Sequence, residues 1–183
     1  MKADNKLKYL TLTGLLAALI TVFTAYIAHI PVGVNGTYIH LGDAIIYLAA
    51  AILPTPYAIL AAAIGGGLAD LLTAPMWAPA TIIIKSLIVL PFTSKNPKIL
   101  TKRNLIAPAI ALLISATGYY FAEVLLYGKE AAFIISVTAN SIQGIGSAAV
   151  FYALGGALEK AGVKKFFLTD KQNVSGVRIK RKA

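Results

Sequence analysis

Asp43, Asp70, Lys85 and Glu123 are ionisable side chains set in otherwise apolar stretches, and the amides Asn140 and Gln143 accompany them. A charge inside a hydrocarbon-like segment is costly, so each such residue is a functional candidate by default. Their spacing groups them on helix faces. Tyr119, Glu123 and Tyr127 recur at i, i+4 and i+8 with Tyr120 alongside, and Ser136, Asn140 and Gln143 at i, i+4 and i+7. His40 and Asp43 share a face if a helix has already begun there. Trp77 stands in a short connection between Pro75 and Pro79. Aromatic walls, a few hydrogen-bonding groups and one charge of each sign make the usual composition of a small-molecule pocket. The chemistry on offer is recognition: stacking on a flat ring and hydrogen bonding to its substituents.

Catalytic and metal chemistry find little to work with. Cys is absent and only His29 and His40 could supply imidazole, so neither a thiolate site nor a His-rich metal site is expected. There is no Walker A loop, no paired-His zinc helix and no nucleophile elbow. The sequence therefore predicts no enzyme, no ATPase of its own, no cofactor and no metal. Gly144-Ile145-Gly146 with Ala149 loosely mimics a dinucleotide fingerprint, but no strand precedes it.

The elements that must position these residues follow from composition. Of 183 residues, 58% are apolar and 13% charged, against about 45–50% and about 25% in an ordinary soluble domain. With a mean hydropathy of +0.76, repeated membrane spans fit, while disorder, fibrous repeats and nucleic-acid binding do not. A helical span takes about 20 largely apolar residues, fewer where it is buried among others. Six segments qualify: 7–30, 42–53, 57–73, 79–92, 105–127 and 131–158. A five-span alternative fuses the second and third, but Pro54 and Pro56 favour a break there. The expected fold is an all-α integral membrane protein, six transmembrane helices in a compact bundle over 1–160, with a basic tail over 161–183.

Charge orients this bundle. Fifteen of the 17 Lys and Arg residues precede the first span, fill the fourth connection or follow the last span. Lys129 alone lies on the opposite side, and Lys85 is inside a span. The excess of basic residues marks the cytoplasmic side, which places both termini there and demands an even number of spans. The net charge of +10 is thus topological and implies no nucleic-acid partner. The tail 164–183 is expected either against anionic lipid or simply solvated. Asn35-Gly36-Thr37 matches a glycosylation acceptor and is read as a turn. In this topology all six polar residues fall in the outer half of the membrane or near its middle.

Plainer roles compete with a pocket. Trp77 could anchor at the interface, Asp70 and Lys85 could pair structurally, Asn140 and Gln143 could join helices, and His40 could bond backbone. Small residues form a further pattern: Gly14 and Ala18 on the first span, with Ala17, Thr21 and Ala25 as a second stripe. Gly65-Gly66-Gly67 and Gly144, Gly146, Gly155 and Gly156 suit close helix packing.

The run 38–54, with Tyr38-Ile39-His40-Leu41-Gly42-Asp43 at its head, joins Gly65-Gly66-Gly67-Leu68-Ala69-Asp70 and Trp77-Ala78-Pro79-Ala80-Thr81-Ile82-Ile83-Ile84-Lys85 in a wider likeness. Together they resemble the substrate-binding S components of energy-coupling factor (ECF) vitamin transporters, from the first span to about residue 160. The likeness is greatest to members assigned to hydroxymethylpyrimidine or pyridoxine. It implies a multi-pass protein of the bacterial cell membrane that captures a vitamin from outside. A transmembrane coupling protein and two cytoplasmic ATPase subunits would be its partners. In the family, an Ala-xxx-Ala pattern on the first helix contacts the coupling protein; here Gly14 and Ala18 hold that spacing, and Ala17 and Thr21 lie beside them. The loop 32–39 would act as a lid, with Gly33 and Gly36 giving flexibility. The ligand would stack on Trp77 or Tyr119 and bond to His40, Asp43, Lys85, Glu123, Asn140 and Gln143. A stand-alone carrier or channel for a small polar solute is the alternative.

Overall fold

The computed structural model of the chain describes residues 3–27, 30–31 and 38–164. His29, Asn35-Gly36-Thr37 with most of the expected lid, the tail from 165 onward and the side chain of Ser136 lie outside the described residues. The described residues form six α-helices: α1 (Ala3–Ala25), α2 (Gly42–Ile52), α3 (Thr55–Thr73), α4 (Ala78–Leu87), α5 (Lys102–Tyr127) and α6 (Lys129–Lys160). A 3-10 turn, Pro75–Trp77, leads into α4. Between α1 and α2, β1 (Ile30–Pro31) and β2 (Tyr38–Ile39) pair antiparallel, with Ile30 opposite Ile39. The sequence gives no warning of so short a ladder.

Local chemistry explains the boundaries. Pro54 immediately precedes α3 and Pro56 sits in its first turn, where the missing N–H costs nothing. The second and third segments are therefore separate helices. α5 starts three residues earlier than predicted, because the Thr101 hydroxyl accepts the Asn104 N–H at 3.2 Å and caps it. Gly128, at φ 88°, makes the turn from α5 to α6 that a side chain would oppose. α4 ends at Leu87, whereas the apolar run continues to Phe92. At 1.5 Å per residue, α2 and α4 rise only about 16 and 15 Å, against a hydrocarbon core of about 30 Å. Among the described residues, four helical segments are long and apolar enough to cross: Lys6–Ala25, Thr55–Thr73, Lys102–Tyr127 and Asn140–Lys160. Their outward faces carry large apolar side chains such as Leu15, Leu113, Phe121, Leu125 and Ile145. Surfaces of this kind belong against lipid.

Glycines set the distances between helices. A methyl group at Gly65 would lie 2.7 Å from both the Ala17 carbonyl oxygen and Ile20 Cβ, so α1 and α3 touch backbone to backbone there. Thr21 closes that seam by donating to the Gly65 carbonyl at 3.0 Å. On the other side of α3, Gly66 and Gly67 face Lys85 and Ile82 of α4. Gly118 makes room for Ile84, and Gly144 for Leu112. α3 is thus held between α1 and α4, and α5 lies along α6. Tyr47 stacks on Phe92 at 5.0 Å and meets the edge of Phe151 at 6.0 Å, and these three rings fill the inner part of the core.

The connection from α4 to α5 is pinned by side chains. Asn104 bonds the Thr93 N–H and carbonyl and the Ile99 carbonyl, and Arg103 donates to the carbonyls of Leu90 and Pro91. Glu159 of α6 accepts the N–H groups of Ile99 and Leu100 at 2.8 and 2.9 Å. Lys164, just beyond α6, donates to the Lys98 carbonyl at 3.1 Å. Burial pushes the Lys164 ammonium down to about 8, partly opposed by the nearby Glu159 carboxylate.

Candidate functional site

Asp43 begins α2, Lys85 lies in the last turn of α4 and Gln143 near the middle of α6, and packing brings all three to one point. The Lys85 ammonium donates to Asp43 Oδ1 at 2.7 Å, with the two side chains 1% and 2% exposed. Gln143 Nε2 donates to the other carboxylate oxygen at 2.9 Å. Each Asp43 oxygen therefore has a donor, as a buried carboxylate requires. Gly66 shapes this arrangement, since a Cβ there would sit 3.0 Å from Lys85 Cγ. Lys85 pairs with Asp43, while Asp70, the other carboxylate weighed as a structural partner for Lys85, is buried on α3. His40 is buried just before α2, where its Nδ1 accepts the Gly42 N–H at 3.0 Å.

An aromatic wall adjoins the charges. Lys85 Nζ lies 5.3 Å from the centre of the Tyr119 ring, within range for a cation–π contact. The Tyr119 hydroxyl shares a 2.9 Å hydrogen bond with Thr81, and its ring meets Trp77 edge-on at 6.1 Å. Tyr127 lies against the other side of Trp77 at 6.0 Å and donates to Met76 Sδ at 3.1 Å. Trp77 is 6% exposed, yet its indole Nε1–H finds no acceptor among the described residues. Glu123 is buried one turn beyond Tyr119, and Asn140 is half-buried one turn before Gln143.

The predicted residues thus divide. Asp43, Lys85, Gln143, Tyr119 and Trp77 form one connected cluster, with His40 adjoining Asp43 in sequence. Glu123 and Asn140 extend its helix faces. Of the expected partner-facing residues on α1, Gly14 and Ala18 point outward. Ala17 and Thr21 do not: they are buried at the α3 seam, because Gly65 lets the two backbones meet there. Among the buried polar residues that the sequence does not single out are Thr81 and Ser147. Thr81 stands four residues before Lys85 and would have emerged from extending that face. Ser147, four residues after Gln143, is wholly buried and its hydroxyl has no partner among the described residues.

A helical membrane bundle with a buried polar cluster beside an aromatic wall has the composition of a small-molecule site. The family model for the ECF-type riboflavin transporter S component matches residues 4–160, and the chain belongs to that family. It is accordingly a multi-pass membrane protein and a substrate-binding transport subunit. No curated protein matches the chain.

Proposed function

We propose that the chain is the substrate-capture subunit of an ATP-driven ECF-type vitamin importer in a bacterial cell membrane. It would work with a transmembrane coupling protein and two cytoplasmic ATPase subunits, exposing Gly14 and Ala18 on α1 to the first. Both termini are cytoplasmic, α2 and α4 complete a six-span topology with the connections that flank them, and 161–183 is a cytoplasmic tail. The ligand is a flat, ring-shaped vitamin bound from outside, with hydroxymethylpyrimidine or pyridoxine favoured by the sequence likeness to members assigned to them. Riboflavin is the second reading, favoured by the description of the matched family.

The observation that carries this reading is the Trp77 indole. A buried N–H without an acceptor is costly, and its site lies between two tyrosine rings beside a charged pair. A ring-shaped ligand bearing a hydrogen-bond acceptor would satisfy that donor while stacking on the same wall. Detergent-purified chain, expressed without partners, is expected to release one such vitamin on denaturation at near-equal stoichiometry, read by mass spectrometry. Replacing Trp77 with Phe, which keeps a ring and removes the N–H, should weaken binding several-fold. Release of no vitamin after growth on a mixture of these compounds would overturn the proposal and favour a stand-alone carrier.

A further inference from the structure

We infer that Ser147 is the floor of the ligand site and receives an aliphatic hydroxyl of the bound vitamin, a role that rests on the vitamin-binding reading above. Two buried polar side-chain atoms among the described residues lack a hydrogen-bond partner: Trp77 Nε1 and Ser147 Oγ. Ser147 is completely buried. A hydroxyl in that position on a helix has an easy remedy, because it can turn back to the carbonyl four residues earlier. Thr11, Thr13, Thr21, Thr73 and Ser86 all do so, at 2.7–3.0 Å. Ser147 does not.

Its position gives the unused hydroxyl a meaning. Gln143 reaches Asp43, and eight residues further along α6 Phe151 reaches Tyr47, so α6 and α2 descend together through the bundle. Ser147 is one turn beyond Gln143 on the same face, about 6 Å deeper at 1.5 Å per residue. By that spacing it falls on α6 between Gln143, which bonds Asp43, and Phe151, which packs with Tyr47 and Phe92. Trp77 and Ser147 thus mark opposite ends of the cluster. The first can only donate, whereas a serine hydroxyl can both donate and accept. A ligand hydroxyl has the same dual character, and the candidate vitamins carry one: pyridoxine and hydroxymethylpyrimidine as hydroxymethyl groups, riboflavin along its side chain.

The test uses full-length chain in detergent and three matched pairs of probes. These are pyridoxine with its dideoxy analogue, hydroxymethylpyrimidine with its methyl analogue, and riboflavin with lumiflavin, the second of each pair lacking every aliphatic hydroxyl, titrated calorimetrically. For the vitamin that binds, wild-type chain should prefer the hydroxyl-bearing member by about fivefold or more, the scale of one neutral hydrogen bond. Ser147→Ala should lose that preference while holding the hydroxyl-free analogue as tightly as wild type does. A purely structural role would weaken both members alike, and that result overturns the inference, as does an unchanged preference. If no vitamin binds wild-type chain, the vitamin-binding reading fails and this inference with it. Binding by wild type with an unaltered Ser147→Ala profile removes the Ser147 assignment alone.

Discussion

Removing one member of the Asp43–Lys85 pair strands the other charge in the bundle. Both side chains are at most 2% exposed and the contact is 2.7 Å, so water can do little to replace the lost partner. Breaking a buried pair from one side costs about 3–5 kcal/mol, whereas neutralising both members together is often close to neutral. Asp43→Asn keeps the shape of the side chain and leaves the ammonium with an amide and the Tyr119 face. Lys85→Met keeps the stem beside Gly66 and leaves the carboxylate with the Gln143 amide but without its ammonium partner. Each single variant should therefore unfold about 3–5 kcal/mol more easily, and the double variant should be more stable than either. The assay is reversible unfolding in mixed micelles, followed by helical circular dichroism and run without vitamin so that lost binding cannot imitate lost stability. A double variant whose destabilisation equals the sum of the singles would show no coupling and refute the pairing.

Four further outcomes are expected. Gly65→Ala puts a methyl 2.7 Å from the Ala17 carbonyl oxygen, so it should cost about 1–3 kcal/mol in the same unfolding assay. Gly14→Ala meets nothing within 4 Å and should leave stability within the scatter of wild type. Tryptophan at both Gly14 and Ala18 should abolish vitamin uptake and co-purification with a coupling protein while calorimetric vitamin affinity is retained, because both residues point away from the buried cluster. Lys164, pushed down to about 8 from 10.5, binds its proton less well in the folded chain than in the unfolded one. Its burial therefore destabilises the fold at pH below about 8, and that penalty fades as pH rises toward 10.5. Wild-type stability relative to Lys164→Met should climb across this window; a constant difference would refute the assignment.

That Asp43, Lys85 and Gln143 are notable inside the bundle was readable from the chain, and how they connect was not. Asp43, Lys85 and Gln143 stand out because hydrocarbon-like surroundings make each one expensive, a property of composition alone. Their bonds join positions 42 and 100 residues apart, and those contacts depend on how far each helix is rotated about its axis. That rotation is set by glycines: Gly66 admits the Lys85 stem, and Gly144 seats α6 against Leu112 of α5. The same logic separates Ala17 from Ala18. Both are small and adjacent, but only the residue facing Gly65 is buried at the α3 seam, and a sequence carries no mark of which one it is. Ser147 is the extreme case. Serine is unremarked in a membrane helix because it can always bond its own backbone, so the hydroxyl becomes informative only when the structure leaves that bond unmade. The glycines aim the buried charges of this bundle at one another, and the two buried groups without a partner among the described residues, Trp77 Nε1 and Ser147 Oγ, are where the proposed ligand would bond.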